Sequence, residues 1–211
     1  MTPNSLEMRG RDRTCLQWDV TETQRYTVLA QRPDLEIRRY EAHVVAEVVV
    51  PGPADKAGNR AFGTLAGYIG GANTSARPVA MTAPVLQRAV AAGRSIAMTA
   101  PVLQQATHHS DESIVSFVMP AGESLRTLPA PKDPSVTLRA VPEQFMAAVR
   151  YSGRWTQDSY DEHAQALHRA TQAAGLDVTG PAQWARYDPP WKPWFLRRNE
   201  VLLPIASPDL R

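Results

Sequence analysis

Short apolar stretches closed by turn-forming residues dominate the first quarter of the chain. Tyr26-Thr-Val-Leu-Ala30 and Leu35-Glu-Ile-Arg-Arg-Tyr40 predict two strands about a turn at Arg32-Pro33-Asp34. His43 to Val50 is β-branched and too short for an average helix, so it predicts a strand, stopped by Pro51-Gly52-Pro53. The period then changes. Phe62, Leu65, Ala66 and Ile69 recur at i, i+3, i+4 and i+7, the spacing of one helix face, and Gly70-Gly71 supplies the stop. Ile114 to Met119, Val136 to Arg139, Phe145 to Tyr151, Trp184 to Tyr187 and Glu200 to Ile205 predict further strands. Tyr160, Ala164, Leu167, Thr171 and Ala174 mark a second amphipathic helix, closed by Gly175. Pro129, Pro131 and Pro134 make residues 127–135 an extended crossover, and Pro189 to Trp194 reads as a loop.

Two repeats overlie this pattern. Val79-Ala-Met-Thr-Ala-Pro-Val-Leu-Gln87 returns seventeen positions later as Ile96 to Gln104, with eight of nine residues identical. The pair reads as neighbouring strands of a hairpin. Pro84 and Pro101 have no N–H for a sheet ladder and belong at an edge, a bulge or a strand start. Met81 and Met98, placed alike in both copies, read as packing residues rather than metal ligands. The fainter repeat is the more telling. A shift of 101 residues lays Ile37-Arg38 on Leu138-Arg139, Ala46 on Ala147, Val48 on Val149 and Gly52 on Gly153. Two related β-α-β-β units predict an α+β fold: a curved, mainly antiparallel sheet with two helices on one face and the opposite face open to a ligand.

Length and composition narrow the class. The 211 residues favour one domain, with residues 1–25 a mobile leader, 26–206 the domain and 207–211 a short tail. A charged fraction of 21% and a net charge of +2, without a basic run, argue against disorder and offer no face for nucleic acid. Cys15 is the sole cysteine, which excludes an internal disulfide and fits a reducing, cytoplasmic setting. The start of the chain has no signal-peptide core, and no apolar run is long enough to span a membrane. Walker, Gly-x-Ser-x-Gly, His-Glu-x-x-His and dinucleotide motifs are absent, so the chain reads as non-catalytic. A tetrapyrrole-modifying enzyme stays open as a minor alternative.

Several segments in order then carry a resemblance: Leu35 to Tyr40, Ala61-Phe62 to Gly71, the Met-Thr-Ala-Pro-Val doublet and Ser116-Phe-Val-Met-Pro120. Val149-Arg-Tyr-Ser-Gly-Arg-Trp155, Ala185-Arg-Tyr-Asp-Pro-Pro190 and Arg198-Asn-Glu-Val201 complete the set. Over residues 26 to 206 the chain resembles the SOUL haem-binding protein family, its bacterial-type members most of all. The resemblance implies a duplicated β-α-β-β fold shared with effector-binding domains of transcription regulators. It implies haem or a related tetrapyrrole bound in a surface groove beside the first helix, without a universally shared axial ligand.

A porphyrin is a flat apolar dianion, so it needs an apolar platform and cations. The loop offers Tyr187, Trp191, Trp194 and Phe195 beside Lys192 and Arg197. The first helix offers Phe62, Leu65 and Ile69 with Arg60 at its edge, although such a stripe also suits the core. His43, alternating with Val44, reads as a solvated strand residue. His108 and His109, in a polar loop, are candidate axial ligands; His163 and His168, five apart, do not share a helix face. Glu200 lies among apolar residues and needs a partner if buried, with Arg38 or Arg39 the candidates. Alternatively Glu200 reads cationic aromatic ligands in a sensing module. The expected partner is therefore a small tetrapyrrole, with neither nucleic acid nor membrane, and a monomer is favoured.

Overall fold

Each predicted strand and helix that falls within the described residues is present in the computed structural model. The structure describes residues 22–52, 54–75, 78–79, 82–89 and 112–208. The strands are β1 (Glu22–Thr23), β2 (Tyr26–Gln31), β3 (Glu36–Tyr40), β4 (His43–Pro51), β5 (Thr82–Ala89) and β6 (Glu112–Val118). They continue with β7 (Thr137–Val141), β8 (Gln144–Tyr151), β9 (Gln183–Arg186) and β10 (Asn199–Ile205). Helix α1 (Ala54–Ile69) follows β4 and α2 (Gln157–Ala173) follows β8. Thr156 caps α2 by accepting a hydrogen bond from the Ser159 amide, and Gly175 ends it at a φ of +68°.

The sheet curls into a half-barrel with the order β2-β3-β8-β10-β9-β5-β6-β4-β7, all antiparallel, while β1 runs parallel beside β5. β1 thus begins within the stretch expected to be leader. The duplication is visible in the order. β4-α1-β5-β6 forms one half and β8-α2-β9-β10 the other, and they meet where Leu86 of β5 faces Ala185 of β9. Each half has given its leading strand away: β3 pairs with β8, and β7 pairs with β4. Gly52 and Gly153, related by the shift of 101, close β4 and β8 at φ values of +98° and +145°, where a side chain would be strained.

Alternation along the strands divides the side chains between two faces. On one, Ala57, Ala61, Leu65 and Tyr68 of α1 pack on Val44, Ala46 and Val48 of β4 and on Val115 and Phe117 of β6. On the same face Leu167 of α2 packs on Ile37, Ala147, Val201 and Leu203. Burying each such leucine contributes about 1.5–3 kcal/mol. The other face, inside the curl, holds Tyr40, Val45, Leu86, Val118, Met146 and Leu202.

β5 is an interior strand between β9 and β6, and Pro84 sits at a bulge-like irregularity, one of the places expected for it, where the register against β6 shifts between Thr82 and Val85. The second copy of the short repeat, 96–104, lies outside the described residues, as does Met81.

Candidate functional site

The helix-bearing face gathers aromatic rings and guanidinium groups around the seam between the halves. α1 crosses the seam at Gly58, where a Cβ would fall 2.0 Å from Gln87 Nε2 and 3.0 Å from Arg186 Nη1. Glycine lets the helix come this close. The Arg186 guanidinium stacks on Trp184 at 4.3 Å and on Trp155 at 4.6 Å. Tyr160 stacks on Trp184 and Arg197 on Trp155, the latter at 4.2 Å, so rings and cations alternate from α2 to the β9–β10 loop. Trp155 Nε1 donates to Asn199 Oδ1 at 2.7 Å, which fixes the ring plane.

That ladder positions the loop. Gly153 N donates to the Trp194 carbonyl and the Arg154 guanidinium lies 5.6 Å over the Trp194 ring, beside the single 3-10 turn Trp194–Leu196. Lys192 Nζ pairs with Asp188 at 2.6 Å, and Arg197 Nε donates to the Lys192 carbonyl at 2.8 Å. The cations hold the backbone, and the large apolar side chains face outward. Trp191 is 76% exposed, Trp194 47%, Phe195 57% and Leu196 58%. Such a strip exceeds what a Pro-rich loop needs for packing. On α1, Phe62 follows Gly58 by one turn and is 48% exposed, its ring edge-on to Phe117 at 5.6 Å.

The structure sorts the sequence candidates. Phe62, Trp191, Trp194 and Phe195 are exposed. Leu65 is not: it is completely buried in the core beneath α1 and has no surface for a ligand. Ile69 is half-buried against the same cluster. The reason is geometric, since the core-facing stripe of α1 runs through Ala61, Leu65 and Tyr68 and leaves Phe62 at its margin. Arg60 is exposed and donates to the Pro51 carbonyl. Tyr187 leaves the loop surface altogether and turns into the curl. His108 and His109 lie outside the described residues. His43 is part-buried inside the curl rather than solvated, with Nδ1 on the Glu41 carbonyl at 2.8 Å and Nε2 facing Gln24. Trp155, Arg154 and Arg186 were not singled out as site residues. Only the clustering of Arg and Trp in Arg154-Trp155 and Trp184-Ala-Arg186 hinted at them.

Inside the curl, Glu200 of β10 is completely buried. Arg38 of β3 reaches it with Nη1 at 2.6 Å and Nη2 at 3.3 Å. Arg198 Nη2 lies at 2.7 Å and Nε at 3.0 Å, and the Tyr187 hydroxyl donates at 2.8 Å. Arg38 also donates to Glu36 at 2.8 Å and stacks on Tyr26, while Arg198 stacks on Tyr187. Arg38, one of the two arginines expected, is a partner, and Arg198, which was not expected, is a second. Burial alone would raise the Glu200 pKa, but the hydrogen bonds and charges of Arg38 and Arg198 outweigh it and hold the carboxyl below its ordinary value. Burial pushes the Tyr40 hydroxyl up to about 12 and raises Tyr187 as well, so both stay neutral. This is a saturated network, with each carboxylate oxygen engaged at least twice.

Fold and sequence together define a duplicated α+β domain, with two helices on one face of a curled antiparallel sheet. The family model described as "SOUL heme-binding protein" matches residues 21–92 and 86–204, and the chain belongs to that family. No curated protein matches it. Among solved structures, it is similar to the EcmrR C-terminal domain, with 12% identity over 87% of this chain and 99% of that one and a TM-score of 0.56. An uncharacterized conserved protein from Listeria innocua matches with 13% identity, covering 81% of this chain and 92% of that one, at a TM-score of 0.57. A hydrolase from Listeria innocua gives 12% identity, 84% and 94% coverage and a TM-score of 0.54. At these identities the likeness establishes the fold. Among the described residues no helix is long and apolar enough to cross a membrane.

Proposed function

We propose that the chain binds a tetrapyrrole, haem first among them, as a non-catalytic carrier or buffer. The observation that carries this reading is the exposed apolar strip Trp191, Trp194, Phe195 and Leu196 on a loop held by its own cations. Phe62 would supply the helix side of the platform. Arg60, Arg154, Lys192 and Arg197 are the cations offered to propionates, although Lys192 already pairs with Asp188 and Arg60 and Arg197 already donate to backbone carbonyls. Haem has about forty heavy atoms, and at about 0.3 kcal/mol per atom the bound on affinity is about 12 kcal/mol. Micromolar binding needs only about 8 kcal/mol, so apolar contact suffices without coordination. Histidines among the described residues sit elsewhere: His43 inside the curl, His163 stacked on Tyr151 and His168 on α2.

Haemin titration followed by absorbance and tryptophan fluorescence tests the reading. Saturation near one equivalent with strong quenching is expected, and replacing Trp191 and Trp194 together by alanine should weaken binding about tenfold or more. Linear, unsaturable absorbance in the parent chain would sink it.

The alternative is a sensing module in which Glu200 reads a cationic aromatic ligand. The geometry opposes it, because Arg38, Arg198 and Tyr187 already occupy the carboxylate. A cationic-dye response in thermal-shift screening, abolished in Glu200→Gln, would favour this alternative.

A further inference from the structure

The inside of the curl has a second charged region, and it is built differently from the first. Glu47 of β4 pairs with Arg139 of β7 through two hydrogen bonds, at 2.9 Å to Nε and 3.0 Å to Nη2. The Ser116 hydroxyl lies 3.5 Å from the same carboxylate. Arg88 of β5 points to the same face, because Leu86 two residues before it packs inside the curl. Together with Arg139, Gln144 and Gln183 it lines a cavity of about 200 Å³. This pocket lies on the sheet face opposite α1 and the helix-side ladder, so it is separate from the proposed tetrapyrrole surface.

Among the described residues, two guanidinium groups at this cavity, those of Arg88 and Arg139, share one carboxylate, that of Glu47. Glu47 is satisfied by Arg139, whereas Arg88 has no hydrogen-bond or ion-pair partner among the described residues. The side chains of Gln144 and Gln183 make no hydrogen bond to another described residue either. Half-burial of Arg88 lowers its pKa, the Arg139 charge lowers it further, and the shared Glu47 carboxylate works against both. His43 adds no charge, since burial lowers its pKa and its ring nitrogens are engaged by Glu41 and Gln24. Amides and a guanidinium with no hydrogen bond to a described residue, converging on one cavity, form a donor set for an oxyanion. The volume decides the size of the guest. It falls below the range of about 300–1,000 Å³ usual for drug-sized ligands, so a porphyrin does not fit.

We infer that the cavity between Arg88 and Arg139 is a second ligand site that takes a small oxyanion, a phosphate or a carboxylate group, with Arg88 as its principal anchor and Gln144 and Gln183 as neutral donors.

Calorimetric titration of the full chain with sodium phosphate and, separately, sodium succinate at low ionic strength tests this. The expected result is saturation at one equivalent by at least one of the two anions. Saturation by phosphate alone assigns a tetrahedral oxyanion, by succinate alone a carboxylate, and either outcome upholds the site. Arg88→Gln should weaken that binding about tenfold or more with the unfolding temperature little changed, and Arg88→Lys should recover part of it. Alanine at both Trp191 and Trp194 should leave it unaltered. Absence of saturation by about 10 mM for both anions would overturn the proposal. So would a folded Arg88→Gln variant that binds as tightly as the parent.

Discussion

Arg38 and Arg139 occupy matching places in the two halves, 101 residues apart, and each holds a glutamate inside the curl. The outcomes differ. Arg38 and Glu200 have side chains 3% and 0% exposed, and Arg198, Tyr187 and Glu36 complete the network. Arg139 is 42% exposed, its Glu47 partner is 13% exposed, and Arg88 beside them shares that one carboxylate without an ion pair of its own among the described residues. Matching arginines, paired with glutamates from non-equivalent strands, thus make a closed structural tie at one end and an open, solvent-facing one at the other. Whether a buried ion pair serves the fold or a ligand depends less on the pair than on what saturates its remaining lone pairs and protons.

The comparison can be broken at its closed end with the largest effect. Arg38→Met should cost about 3–5 kcal/mol in urea unfolding, because it strips a buried carboxylate of its main partner; a loss below about 1 kcal/mol would place Glu200 in a far wetter environment. Acid should act through the same group. The folded-state pKa of Glu200 lies below the ordinary 4.5, so its stabilising contribution is complete above that value and is lost as pH falls through the folded-state pKa. Stability measured against pH should therefore drop below about pH 4.5, and Glu200→Gln should flatten that limb. At the open end Arg139→Ala should cost no more than about 1 kcal/mol, since solvent screens a pair this exposed. The smallest effect sharpens the contrast: between 0.1 M and 1 M salt, the Glu47–Arg139 coupling in a double-mutant cycle should fall by about 0.3 kcal/mol, while the Arg38–Glu200 coupling holds.

Local features were legible in the chain. The Pro51-Gly52-Pro53 stop, the helix stripe of Phe62 to Ile69 and the α2 pattern closed by Gly175 all rest on interactions within a turn or two. The 101-residue shift exposed the duplication, because it preserves Ala46 with Ala147 and Gly52 with Gly153 at positions where the sheet tolerates little else. Strand exchange was not legible, since nothing in β3 distinguishes pairing with β4 from pairing with β8. The charged regions depend on that exchange. Arg38 meets Glu200 across 162 residues, and Arg139 meets Glu47 across 92. The Trp155–Arg186–Trp184 ladder needs the same long-range registry, and so does Arg88 facing Glu47. On α1 the pattern grouped Phe62, Leu65 and Ile69 as equals. Only the rotation of the helix against β4 and β6 separates the exposed ring from the buried leucine.

The strand exchange also sets a timetable. Tyr40 at the end of β3 pairs with Gln144 at the start of β8, which is synthesised about a hundred residues later. At about 5–20 residues per second the ribosome takes roughly 5–20 s to cover that distance. Throughout it, β3 has one edge paired with β2 and the other bare, and Arg38 has no Glu200. A nascent chain of this protein therefore carries an unmatched strand edge for seconds, and its first half waits for the second before either is complete.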